Sequence, residues 1–100
     1  MIPLEYYLAL SSIAFGIGAY GVLVCRNSIR VLMCLELMMN AANINLVAFS
    51  RYLGDAAGQI FVTFSIAIAA AEAAVGLAII LVIYRLYGTV EIHELRNLRW

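Results

Sequence analysis

The sequence contains no lysine, only one proline, one histidine and two cysteines, and just 12% of its 100 residues are charged. Six arginines balance six acidic residues, so the chain lacks the clustered basic face that nucleic-acid binding requires. No span carries a histidine for haem, no cysteine quartet is available for an iron–sulfur cluster, and no glycine-rich phosphate loop is present. We therefore expect this chain to bind no cofactor itself.

Apolar residues, in contrast, make up 66% of the chain, and its mean hydropathy is +1.01. Soluble domains are about 45–50% apolar, and a chain this small has too little interior to bury the excess. Lipid is therefore the expected solvent. A membrane helix needs about 20 mostly apolar residues, and the sequence predicts three of them, at about 4–24, 29–53 and 59–87, followed by a polar tail at 88–100. The predicted class is an all-α integral membrane protein.

Short breaks separate the spans, CRNSIR before the second and GDAAG before the third, and they predict antiparallel neighbours. The first span lacks a basic start and is longer than the apolar core of a signal peptide, so we expect a retained helix. Small residues four apart allow helices to approach closely in lipid. Ser12 with Gly16, and Ala70 with Ala74 and Ala78, have that spacing.

The arginines predict the orientation, because loops on the cytoplasmic side of a membrane are rich in arginine and lysine. With three spans, the first loop and the C-terminal tail share one side of the membrane. That side carries Arg26, Arg30, Arg85, Arg96 and Arg99, and the opposite side carries only Arg51. We therefore expect the N-terminus outside and the first loop and C-terminus in the cytoplasm.

Two glutamates interrupt the apolar spans. Glu36 lies about 10 Å from the cytoplasmic end of its span and Glu72 about 20 Å from the same end of its own, at 1.5 Å per residue. Since the midplane of the bilayer is near 15 Å, we expect the two carboxyls on opposite sides of it. A charge there costs about 2.5–3.5 kcal/mol or more, and removal from water favours the neutral form of a carboxyl group. Such a pair is typical of a proton relay.

A polar stripe accompanies Glu36. Asn40 and Asn43 lie four and seven residues further on, so they share its helix face, whereas Asn45 falls on the opposite face. In the third span, Ser65 lies seven residues before Glu72. These side chains predict either hydrogen bonds between helices or the lining of a water-filled path.

Two segments, RNSIRVLMCLELMMNAANINLVAF at 26–49 and AIAAAEAAVGLAIILVIYR at 67–85, resemble the K subunit, also called 4L, of respiratory complex I and its relatives. The marks of that family are Glu36 within LELMMNAANINL and Glu72 within AAAEAAVGL, and Arg26 and Arg30 of the first loop match as well. The resemblance covers nearly the whole chain and implies three membrane helices.

The resemblance also implies a function. Family members are non-redox subunits of a proton-pumping oxidoreductase, between the quinone-site subunit and the antiporter-like subunits, and Glu36 and Glu72 would relay protons or charge. The donor would be NADH, ferredoxin or F420H2 and the acceptor a quinone or methanophenazine. Flavin and iron–sulfur clusters would be held by other subunits. A prokaryotic cell membrane is the expected location, with a thylakoid or organelle inner membrane as the alternative.

Other functions fit the residues to different degrees. The C subunit of a multisubunit sodium/proton antiporter shares this fold and is distinguished by its companion subunits. A small drug/proton exporter has four spans with a glutamate in the first, and a rotor-ring subunit has two spans with one carboxylate, so both fit badly. The structural alternative is a scaffold whose glutamates only form hydrogen bonds.

Overall fold

The computed structural model describes residues 2–95, and this part of the chain forms four helices. They are α1 (Leu4–Val24), α2 (Ser28–Leu53), α3 (Ala57–Tyr87) and the short α4 (Ile92–Leu95). The first three are long and apolar enough to cross a membrane, which confirms the prediction of a three-helix membrane protein. The tail beyond residue 95, with the arginines at 96 and 99, lies outside the described residues.

The helices α2 and α3 begin one and two residues earlier than predicted, and at each start a polar side chain just before the helix accepts hydrogen bonds from backbone N–H groups. The Asn27 side chain accepts hydrogen bonds from the backbone N–H groups of Ile29, at 2.9 Å, and Arg30, at 3.3 Å. The Asp55 carboxylate accepts one from the N–H of Ala57 at 2.9 Å. Such caps satisfy donors at a helix start that have no partner within the helix. Hydropathy alone does not detect them.

Two glycines end the long helices. Gly54 follows α2 with φ 71° and Gly88 follows α3 with φ 72°, both in the left-handed region. Glycine adopts this conformation without the steric cost that a Cβ would impose. The chain therefore turns sharply at Gly54 into the short connection to α3, and at Gly88 into the tail.

The central helix is α2, which packs against α1 on one side and α3 on the other. Only a narrow strip of each long helix is buried, and most of its members are small or polar. Close approach of backbones supplies the packing between helices where no water is expelled. The buried residues are Ser11, Gly18, Gly21, Ala41, Asn43, Ala48, Ser50, Val62 and Ala69.

The contact between α1 and α2 does not use the predicted pair of small residues. Ser12 and Gly16 are exposed, whereas Gly18 packs so closely on α2 that a Cβ there would lie 2.8 Å from the carbonyl oxygen of Cys34. The Sγ atom of Cys34 occupies the space beside Gly21. The helix α1 is apolar all round, so spacing alone identified small residues but not the face that packs. On α3, the predicted alanine series at 70, 74 and 78 is likewise exposed.

The polar tail returns to the first loop. The backbone N–H of Ser28 donates to the carbonyl oxygen of Val90 at 2.9 Å, and that of Ile92 donates to Arg26 at 2.8 Å. The Ser28 hydroxyl also donates to Val90, at 2.6 Å. The first loop and the start of the tail therefore lie together at one end of the helices.

Candidate functional site

Three contacts along the interface between α2 and α3 set the relative position of the two helices. In each of them a small residue of α3 meets α2: Gly58 lies against Ser50, the Ser65 hydroxyl donates to the Asn43 Oδ1 at 2.8 Å, and Gly76 lies against Leu32. The helices are antiparallel, so moving a given number of residues forward along α3 corresponds to moving the same number backward along α2. All three contacts agree with a single register.

This register places Glu36 and Glu72 at the same level. Glu72 is seven residues beyond Ser65 on α3, and Glu36 is seven residues before Asn43 on α2. The expectation that the two carboxyls lie on opposite sides of the midplane is therefore wrong. They form one acidic level shared by neighbouring helices.

The error came from measuring each depth from the end of its own helix. The contact of Gly76 with Leu32 aligns Ile80 with Ser28, the first residue of α2. Residues 81–87 of α3, about 10 Å at 1.5 Å per residue, therefore extend past the start of α2. The two helices do not begin at the same height, and only their packing shows by how much they differ.

The two carboxylates have different surroundings. Glu36 is half-buried and lines a groove of about 510 Å³ between α2 and α3, whose α3 wall is formed by Ala73, Ala74 and Leu77. Glu72 is exposed on α3 and is not part of that groove. Glu36 thus borders a space between α2 and α3, whereas Glu72, on the same face of α3 as Ser65 and Gly76, is exposed in the single chain.

Asn40 and Asn43 extend the polar stripe beyond Glu36, as their spacing predicted. Asn40 is exposed and borders both the Glu36 groove and a second groove of about 470 Å³ that also involves α1. Asn43 is buried and lines the second groove. Its Oδ1 is occupied by Ser65, but its Nδ2 has no hydrogen-bond partner within residues 2–95.

Asn45, on the opposite face of α2, pairs with α1. The Ser11 hydroxyl donates to its Oδ1 at 2.5 Å, and Ser11 is only 2% exposed. Each neighbour of α2 is therefore held by one serine–asparagine pair. The spacing placed Asn45 on the opposite face, but Ser11 was missed, because a serine in an all-round apolar helix carries no sign of its partner.

The first-loop arginines lie away from the acidic level. Arg26 and Arg30 are both exposed, and their backbone groups, rather than their side chains, tie the loop together through the tail and the Asn27 cap. Exposed arginine side chains at this end of the helices suit contact with lipid headgroups or another subunit.

A comparison with known proteins identifies the family. The family model for NADH-ubiquinone/plastoquinone oxidoreductase chain 4L matches residues 6–100. The chain belongs to this family. NADH-quinone oxidoreductase subunit K of Salinibacter ruber is 59% identical, in an alignment that covers 91% of this chain and 90% of the relative. The subunit K of Anaeromyxobacter dehalogenans is 54% identical, over 96% of this chain and 97% of the relative. NAD(P)H-quinone oxidoreductase subunit 4L of Leptolyngbya boryana is 52% identical over 97% and 98%.

Membership of the chain 4L family agrees with the resemblance in the sequence and with the three apolar helices. This chain is a multi-pass membrane protein.

Proposed function

We propose that this chain is a non-redox membrane subunit of a proton-pumping, complex I-type oxidoreductase, in which Glu36 and Glu72 relay protons or charge. The observation that carries the proposal is the single acidic level shared by α2 and α3. Two carboxyl groups at one depth in apolar helices are costly, and ionisable groups within membranes are typical of proton paths. The names of the relatives favour an oxidoreductase over a sodium/proton antiporter.

In this relay the proton moves from α2 to α3 at one level, rather than along a single helix. Glu36 lines the groove beside α3, and Glu72 at the same level is exposed in the single chain. A proton that reaches Glu36 from the groove is passed across the level to Glu72, which offers it to a group of the neighbouring subunit. A positive charge arriving nearby favours the ionised carboxylate, and its departure favours the neutral form. Charge changes elsewhere in the complex would thus drive proton release and uptake here.

The electron-transfer chemistry belongs to other subunits, which hold the flavin and iron–sulfur clusters. The electron donor is NADH, ferredoxin or F420H2, and the acceptor is a quinone or methanophenazine. The direct partners are the quinone-site subunit and the antiporter-like subunits, with lipid around the remaining surface. The many large apolar side chains exposed on α1 and α3 provide the surface for both.

Purification from native membranes tests this assignment. A tagged chain extracted in mild detergent should bring with it the other membrane subunits and the iron–sulfur subunits of an oxidoreductase. The purified material should reduce a quinone or methanophenazine with one of the three donors. Isolation with antiporter subunits alone, without redox centres, would contradict the proposal.

A second prediction concerns orientation. The arginines at the end formed by the first loop and the tail predict that this end faces the cytoplasm. Single cysteines introduced at Arg26 and at Arg51, in a chain whose own two cysteines are replaced by alanine, should differ in labelling by a membrane-impermeant thiol reagent. In intact cells only position 51 should react. Labelling of position 26 but not 51 would reverse the orientation.

A further inference from the structure

Two grooves lie one after the other along one face of α2, and Asn40 lines both of them. Taken together as one groove, they extend along α2 from Ile29 to Arg51. At 1.5 Å per residue this is about 33 Å, close to the roughly 30 Å hydrocarbon thickness of a bilayer. Residues of α3 line both grooves: Val62 and Ile66 toward Arg51, and Ala73, Ala74 and Leu77 toward Ile29. Tyr7 and Leu10 of α1 line the Arg51 end.

One polar atom in this groove lacks a partner. Asn43 is 7% exposed, and its Nδ2 is buried without a hydrogen-bond acceptor within residues 2–95. Its Oδ1 accepts a hydrogen bond from Ser65 at 2.8 Å, which leaves Nδ2 as the group of this amide that still needs a partner. A buried donor without an acceptor is destabilising. The molecule that fills the groove should therefore present an acceptor at the level of Asn43.

We propose that a transmembrane helix of a neighbouring membrane subunit lies lengthwise in this groove and places an oxygen acceptor against Nδ2 of Asn43. The groove is as long as a membrane-spanning helix, and its walls are mostly apolar. A lipid acyl chain fits the walls but has no acceptor. The ester oxygens of a lipid lie near its headgroup, whereas Asn43 is eight residues, about 12 Å, from Arg51 at the groove's end. A side chain on a helix can reach any depth.

The neighbouring helix would also cover the polar stripe on α2. It would pass over Glu36, because Glu36 lines the other half of the groove. This inference rests on the part of the proposed function that concerns assembly with other membrane subunits, and it does not depend on proton transfer.

Photo-crosslinking within the intact complex tests the occupant. Ile66 lines the groove and is 52% exposed, whereas Ile68, on the same helix and 58% exposed, does not line it. With p-benzoylphenylalanine replacing Ile66, we expect an adduct with one membrane subunit, mapped by mass spectrometry to a transmembrane helix that carries an oxygen-containing side chain. The same replacement at Ile68 should give a different adduct.

Two further variants distinguish the effect of the unpaired Nδ2 donor of Asn43 from the effect of the Ser65–Asn43 hydrogen bond. Asn43→Leu and Ser65→Ala both remove the Ser65–Asn43 hydrogen bond, but only Asn43→Leu removes the Nδ2 donor. We expect Asn43→Leu to speed dissociation of the crosslinked subunit from the detergent-solubilised complex by about tenfold relative to Ser65→Ala. The Ile68 adduct should be unaffected by either variant.

Three results would overturn the inference: a lipid adduct alone at position 66, no adduct there, or equal dissociation rates for Asn43→Leu and Ser65→Ala. A failure of the proposed function would give a different experimental result. If the chain purifies without other membrane subunits, the proposed function itself is contradicted. If it purifies with them but position 66 does not reach a helix, only this inference fails.

Discussion

Replacing Glu36 and Glu72 together by glutamine is expected to leave the subunit in its complex and to reduce proton translocation per electron by about tenfold or more. Glutamine has nearly the shape and polarity of glutamate but cannot take up or release a proton near neutral pH. Proton uptake by inverted vesicles or proteoliposomes, divided by the rate of electron transfer, measures the effect. Each single variant should also reduce coupled pumping, because the relay needs both groups at the shared level.

The matched control is Glu5→Gln. Glu5 is an exposed carboxylate in the first turn of α1, outside the acidic level, and its replacement should leave pumping unchanged. Glu36→Asp, which keeps a titratable group, should retain more pumping than Glu36→Gln. Full coupled pumping in the double variant would defeat the relay. Loss of the subunit from the complex would instead favour a scaffold role for the glutamates.

The second large effect is expected at Gly18. In Gly18→Ala the new Cβ would lie 2.8 Å from the backbone carbonyl oxygen of Cys34 and 2.6 Å from Cγ of Met38. The methionine can move, but the carbonyl is part of α2, so the two helices must separate. Overpacking of this kind costs about 1–3 kcal/mol. The temperature at which the subunit leaves the solubilised complex should therefore fall by several degrees, about the size expected for such a change.

Gly16→Ala provides the comparison. Gly16 lies on the same helix, two residues away, with no atom within 4 Å of an added Cβ in residues 2–95. Because alanine also favours a helix more than glycine does, this variant should leave the dissociation temperature within about one degree of the wild type, as is usual for open sites. Equal losses in both variants would mean that a neighbouring subunit, and not α2, limits space on α1.

The exposure of α3 in the single chain agrees with the membership of this chain in a multisubunit assembly. Only 6% of the residues in an 18-residue apolar stretch of α3 are buried, and Glu72 of the same helix is exposed. A carboxylate facing lipid would be costly, so we expect another subunit to cover Glu72 in the assembly.

Much of the architecture follows from the sequence because it depends on local properties. Hydropathy is a sum over neighbouring residues, and it located three helices to within two residues at each end. The remaining differences lie at the helix starts, where the Asn27 cap and the Asp55 carboxylate accept hydrogen bonds from backbone N–H groups. The two glutamates stood out for the same local reason, since few charges occur in apolar spans.

The tertiary structure alone decided how these elements meet. The shared level of Glu36 and Glu72 depends on the contacts at Gly58, Ser65 and Gly76, which join residues far apart in the chain. The packed face of α1 also required the structure, because the four-residue spacing of Ser12 and Gly16 indicated a face that is exposed, whereas Gly18 and Gly21 are the glycines that pack. In helices that are apolar all round, periodicity cannot distinguish one face from another, and only the fit between backbones determines register and face.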